Sequence, residues 1–591
     1  MKYTFCRALA ITAIVSFPGW ATAQVDDFIE QHVWIDLAAT PMQIEIELTL
    51  DLGETASAIH LATLALPLAS VDVDGTPVGW SDSFSDPGYI TDIALPSQLP
   101  AGTQTKVHMV ARGELDCASL FYPGYQWCVH DSHQTILPMT SAGEAWYLSS
   151  VFAFDQFVGS LTVVAPASQD VVSVQGTEEE RSDNGDGTAT WVFSFDYPTD
   201  GVGLYAGDME AVTSETGFPV TGYVPSAHVT KMEHAVAIAA EVLDYYNELY
   251  TPMPADHAYL VTTPNSLPFG GMGLLGTIFL NEYVFWDEYA YIVEQGVAHE
   301  FGHTWWGHMS SGNHPFFTEA FAEYSAWRAM GHLYDDAMRT SGSRMNAVWY
   351  MYRRTGNADV AVLDPKVFNS PAYGFVIYHK GSTVLRTFEE AAGEAPFTAA
   401  LRALVQSGPG HTDIDKFVSE IAASSGYDAS ADVEQWLLQP GFPHLEVRPA
   451  VATSATETTL ALFALTDDPF AFNLPVRLTF ADGTTRNESL TVGEDGSGHV
   501  VWGLEGYPVL VEFDPRWTMV REITPGADRA DVSFDGVVDG VDLIEVALRQ
   551  GSFLPDERRV DGGYDPLYDL NGDGAVDGDD LNLVLAAAAS H

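Results

Sequence analysis

A chain of 591 residues is too long for one hydrophobic core, and its 46% hydrophobic and 12% aromatic content is that of a folded protein. With 81 acidic against 25 basic side chains it carries a formal charge of −56 at pH 7. That balance excludes nucleic acid and anionic membrane surfaces as partners, because both would be repelled.

Residues 1–23 have the make-up of a secretory signal peptide. Lys2 and Arg7 precede the apolar run Ala8 to Phe17, and Ala21-Thr22-Ala23 offers a small-x-small cleavage site. The run is too short to remain as a bilayer anchor, and no later stretch approaches 18 uninterrupted apolar residues, so a secreted chain with no membrane span is expected. Cys6 leaves with this segment. Cys117 and Cys128 lie close together in what would be an oxidising compartment and are expected to form a disulfide around a turn.

From Gln24 to about residue 213 the pattern alternates with period two, as in Gln43-Ile-Glu-Ile-Glu-Leu-Thr-Leu50 and Leu161–Ala165, and predicts an antiparallel β domain. A helical pattern follows over His234–Leu249, then a strand over Ala258–Thr262 and a glycine-rich turn at Gly270-Gly271-Met272-Gly273. Helices dominate from Glu288 to Leu438, with apolar residues recurring at three and four in Tyr289–Met309 and Thr318–Leu333. Alternation returns after Pro440, in Leu460–Leu465, Val476–Phe480 and Val509–Phe513, and predicts a small β-sandwich.

The chemistry concentrates in His299-Glu300-Phe301-Gly302-His303. Four residues are just over one helical turn, so both imidazoles leave one face and can share a zinc ion, with Glu300 beside them to take a proton from water. Two histidines leave a tetrahedral site one protein ligand short. The next helix offers Glu319 and Glu323, which share a face, so spacing does not choose between them. His308 and His314 read as solvated surface histidines.

The stretch Val297-Ala-His-Glu-Phe-Gly-His-Thr-Trp-Trp-Gly-His308 resembles the zinc helix of the aminopeptidase N family of thermolysin-fold gluzincins, and Thr318-Glu-Ala-Phe-Ala-Glu-Tyr324 resembles that family's Asn-Glu-Gly-Phe-Ala segment. The resemblance implies Glu319 as third zinc ligand, although the fifteen residues between His303 and Glu319 are fewer than the family usually has. Tyr378-His-Lys-Gly381 is similar to the family's Tyr-x-Lys-Gly motif, which implies that the Tyr378 hydroxyl steadies the oxyanion; without the family Tyr378 reads as a core tyrosine. The run Gly270-Gly271-Met272-Gly273-Leu274 resembles the substrate-lining Gly-x-Met-Glu-Asn motif, with Gly273 where the family's amine-binding Glu stands. The expected activity is therefore zinc-dependent peptide hydrolysis of aminopeptidase type. An endopeptidase opened by Gly273 and a non-catalytic, scaffold-bound binding protein are the competing readings.

Two loops close the chain. Asp531, Ser533, Asp535, Asp539 and Asp542, and again Asp569, Asn571, Asp573, Asp577 and Asp580, put oxygen side chains at positions 1, 3, 5, 9 and 12, with Gly536 and Gly574 at position 6. Val537 and Ala575 would each offer a backbone carbonyl, so each loop reads as an EF-hand type site for one calcium ion. Aspartate at position 12, with helices expected over Leu543–Gln550 and Leu581–Ala588, is similar to dockerin domains and implies a cohesin-like partner. The expected whole is a multidomain α+β protein: signal peptide 1–23, antiparallel β domain 24–213, thermolysin-like, mainly helical catalytic domain 214–442, β-sandwich 443–524 and dockerin-like EF-hand pair 525–591.

Overall fold

The computed structural model describes residues 27–590 apart from 86–87, 120–123, 139–144, 149–155, 174–175, 200, 287–292, 313, 354–358, 409–411, 454–457, 467–469, 505, 507, 527 and 555–562. The expected signal peptide lies outside the described residues. The chain divides into two compact units, Met1–Thr318 with Leu401–Lys416, and Glu319–Ala400 with Phe417–His591.

The first unit opens with an eight-stranded sheet built on alternation. In Met42–Asp51 the residues Met42, Ile44, Ile46, Leu48 and Leu50 are all buried, while Gln43, Glu45 and Glu47 are half-buried on the opposite face. One pairing departs from the antiparallel expectation: Asp27–Asp36 runs parallel to Phe157–Pro166, with Val33 opposite Leu161. Hydrophobic alternation sets which face a strand buries but not the direction of its neighbour. The expected disulfide joins Cys117 to Cys128.

A five-stranded sheet follows in the order Glu210–Thr213, Val220–Val224, Ala258–Thr263, Thr277–Asn281, Gly271–Leu274. Its three central strands are parallel and almost wholly buried. Gly270-Gly271-Met272-Gly273 is not the turn that its composition suggests. Gly271–Leu274 is the antiparallel edge strand, and the turn comes after it at Leu275-Gly276. The helix Val229–Leu249 carries Tyr246, whose hydroxyl donates to Ala298 O at 3.0 Å and ties it to the helix Val293–Gly302.

The second unit contains the helices Glu319–Leu333, Asp336–Arg353 and Ser382–Ala392, the last entered through a π-helical turn, Phe375–Gly381. Between them lies a buried ionic cluster in which Arg339 Nη2 donates to Glu389 Oε1 at 2.8 Å, with Arg386 and Arg328 close by. Further along the chain seven strands form one hydrogen-bonded order, Pro508–Phe513, Phe472–Phe480, Thr485–Val492, Ser497–Leu504, Thr458–Leu465, His444–Thr453, Glu522–Pro525. The two halves of this order meet at a single pair, Val492 opposite Gly498.

The Asp-rich loops lead into the helices Gly540–Leu548 and Gly578–Ala588. Each begins three residues earlier than its apolar pattern, because Asp539 and Asp577 act as N-caps and form capping boxes with Asp542 and Asp580. Among the described residues no helix is long and apolar enough to cross a membrane.

Candidate metal centre and substrate edge

His299 and Glu300 lie in the last turn of the helix Val293–Gly302, and His303 follows directly, its amide donating to Glu300 O at 3.2 Å. The α-helix therefore ends between the two histidines, yet their rings stay 5.0 Å apart, centroid to centroid. Glu319 is the first residue of its helix. His299, His303 and Glu319 each offer one ligand atom, and these atoms lie within 4.8 Å of one another. All are buried: 4% of His299, 4% of His303 and 1% of Glu319 is exposed.

The donor chemistry suits zinc. His303 Nδ1 meets the carbonyl of Trp306 at 3.0 Å. A carbonyl only accepts, so Nδ1 carries the proton and Nε2 keeps its lone pair for a metal. Glu323, the alternative that spacing leaves open, is used elsewhere: it accepts from Trp327 Nε1 at 2.8 Å and from Asn346 Nδ2 at 3.1 Å.

Glu300 is 6% exposed, and its carboxylate packs against the edge strand. A Cβ on Gly271 would come within 2.2 Å of Glu300 Oε1, and one on Gly273 within 2.0 Å of Glu300 O. These two glycines let backbone lie flat on the helix that carries His299 and Glu300. Gly273 is thus more than a missing carboxylate, since no side chain fits there. Met272, on the other face, joins a buried cluster with Phe269, Leu274 and Phe279.

His308 and His314 are not solvated. His308 is buried, and its Nε2 donates to Gly273 O at 3.2 Å. His314 is half-buried and accepts through Nδ1 from Phe316 N, capping a short 3₁₀ turn. The sign of this in the sequence is Gly307, and in the structure the chain turns tightly there, with Gly307 at φ +142 and His308 N donating back to His303 O. A histidine on a turn folded onto its own helix has little access to water.

Tyr378 is buried in the π-helical turn, its ring edge-on to Tyr373 at 6.2 Å. The neighbouring His379 is pushed down to about 4 by burial, so it is neutral at pH 7; its Nδ1 meets Asn346 Oδ1 at 2.9 Å. Asn346 therefore spans Glu323 and the Tyr378 turn, a link that no local motif announces.

In the Asp-rich loops Asp531, Ser533, Asp535, Asp542, Asp569 and Asp580 are buried, and Gly536 and Gly574 both take φ +89. Asp531 is raised to about 7 and Asp535 to about 6, by burial first and then by neighbouring carboxylates. Asp542 accepts from Ser533 N and Asp539 N, and Asp580 from Leu570 N, Asn571 N and Asp577 N. Asn571, Asp573 and Asp577 lie toward the exposed side of the second loop. Among the described residues, only His299, His303 and Glu319 bring three His, Cys, Asp or Glu ligand atoms as close as 4.8 Å.

Over the aligned segments the curated relatives are about a quarter identical to the chain. A probable aminopeptidase 1 of Sulfurisphaera tokodaii is 25% identical over 41% of this chain and 33% of its own length. Aminopeptidase N of Lactococcus lactis subsp. cremoris is 25% identical over 39% and 29%, and leucine aminopeptidase 2 of Eremothecium gossypii 24% identical over 71% and 69%. The chain thus spans about a third of the first two relatives. Among solved structures, aminopeptidase A of Legionella pneumophila in complex with aspartic acid superposes with a TM-score of 0.69 at 15% identity, over 90% of this chain and 61% of that one. An M1 zinc metallopeptidase of Deinococcus radiodurans superposes with 0.59 at 16% identity, over 72% and 97%. The architecture they share is multidomain, a β-rich amino-terminal part followed by a largely helical part. Residues 234–436, which carry His299, Glu300, His303, Glu319 and Tyr378, match the Peptidase family M1 domain.

Proposed function

We propose that the chain is a zinc-dependent aminopeptidase. The observation that carries this reading is the convergence of His299, His303 and Glu319 with Glu300 beside them, inside the segment that matches the Peptidase family M1 domain. The similar proteins named aminopeptidases support the exopeptidase sense.

When bound, zinc would supply a Lewis acid toward the scissile carbonyl and acidify an attacking water. Glu300 takes the proton from that water and passes it to the leaving amine. Tyr378 donates its hydroxyl hydrogen to the oxygen on which negative charge develops. The test is product analysis on matched peptides with free and acetylated amino termini. Stepwise loss of single residues from free termini is expected. Glu300→Gln should lower kcat/KM by about 10²–10⁴-fold with zinc content unchanged by elemental analysis. Internal cuts in acetylated peptides would overturn the exopeptidase reading.

Export is part of the same proposal, motivated by the signal-like residues 1–23 and by the Cys117–Cys128 disulfide. The two Asp-rich loops are proposed as structural calcium sites of a dockerin-like attachment module with a cohesin-like partner. Their support is the repeated ligand spacing, the two positive-φ glycines and the burial of like charges that a divalent cation would neutralise. Isothermal titration of chelated protein with calcium should give two sites, and Asp542→Ala should abolish one. A flat titration would remove the calcium reading and leave the peptidase reading untouched.

A further inference from the structure

Asn281 N donates to Gly270 O at 2.9 Å across the hairpin. In an antiparallel ladder the two main-chain groups of a residue point to the same side, and the side alternates along the strand. Gly270, Met272 and Leu274 therefore face the neighbouring strand Thr277–Asn281. Gly271 and Gly273 turn their N–H and C=O groups to the sheet edge, where a peptide could add as a further strand. Of those four outward groups, Gly273 C=O already has a donor of this chain, His308 Nε2 at 3.2 Å.

The position of a donor to an outward edge carbonyl is the position that the N–H of an added strand would take. The imidazole of His308 thus stands in the lane of the substrate backbone. A peptide lying antiparallel to Gly271–Leu274 has its amino end toward Gly273, so that is the end the ring closes. We propose that His308 is a specificity-determining residue: it stops the substrate backbone at Gly273 and restricts cleavage to the first residue of a peptide. This rests on the peptidase reading above. It also supplies what Gly273 does not, because a carboxylate-bearing side chain has no room at that position, whereas a ring across the lane selects short amino ends by shape.

The experiment compares wild type, H308A and H308N on peptides with free, acetylated and one-residue-extended amino termini, with products identified by mass spectrometry. With the ring removed, H308A should release dipeptides and cut acetylated peptides. Its ratio of kcat/KM for acetylated over free substrate should rise about tenfold or more. Should H308A fail to fold, H308N gives the same readout, since its shorter polar side chain ends short of the place where Nε2 meets Gly273 O and leaves the lane open. A purely structural histidine would lower activity on all substrates alike, so a folded, zinc-loaded variant with the wild-type ratio overturns the inference. A wild type inert toward every peptide would remove the peptidase reading and this inference with it.

Discussion

At the scale of single residues, the two glycines of the edge strand decide what the centre can be. Restoring a carboxylate by Gly273→Glu is expected to fail as a gain of amine recognition, because its Cβ would meet Glu300 O at 2.0 Å. The variant should lose stability by overpacking, on the order of 3 kcal/mol or more, read as a lower Tm, with activity falling on every substrate. A stable variant with tighter binding of free amino termini would show that the strand can move off the helix. His299, His303 and Glu300 stand out in the sequence because helical spacing and ligand chemistry are local, whereas spacing leaves Glu319 and Glu323 open and only the family resemblance favours Glu319. His308 and Asn346 do not stand out: what they do depends on which carbonyl or carboxylate a turn or another helix brings opposite.

At the scale of elements, the helices Asp336–Arg353 and Ser382–Ala392 are joined by Arg339 and Glu389, both buried. Burial alone would raise the Glu389 carboxyl, but Arg339, Arg328 and Arg386 outweigh it and hold the group below its ordinary value of 4.5. Arg339→Ala leaves that charge without its main partner and should cost about 3–5 kcal/mol in urea unfolding at pH 7. A carboxyl depressed in the folded state stabilises above its unfolded value and loses that contribution as pH falls. The gap between wild type and variant should therefore be full at pH 7 and close below about pH 4.5. A gap independent of pH would mean that packing, not charge, is lost. The strands and helices were foreseeable from period-two and period-3.6 patterns, as in Met42–Asp51 and Glu319–Leu333. The parallel pairing of Asp27–Asp36 was not, because partner direction is a property of the chain's path. Nor was the edge strand Gly271–Leu274, since glycines have weak strand preference and are placed there by the helix they must clear.

For the whole molecule the charge of −56 sets the response to solvent. Self-repulsion opposes compaction, and salt screens it with a Debye length of about 8 Å at physiological ionic strength and about 3 Å at 1 M. The Tm should rise steadily with sodium chloride between about 0.05 and 1 M. A falling or flat midpoint would mean that attractive surface pairs, such as Lys106 with Glu47 at 2.8 Å, outweigh the net repulsion.

The close packing of Gly271 under Glu300 has a consequence for how this protein can change. The strand that would hold a peptide and the base that would activate the attacking water occupy one shared volume, so the smallest possible side chain at Gly271 would push on the carboxylate itself. Binding and chemistry are therefore coupled mechanically. Altering that strand disturbs the proposed base in the same step, so new specificity would be reached more readily through neighbours at the sheet edge, His308 among them, than through the strand.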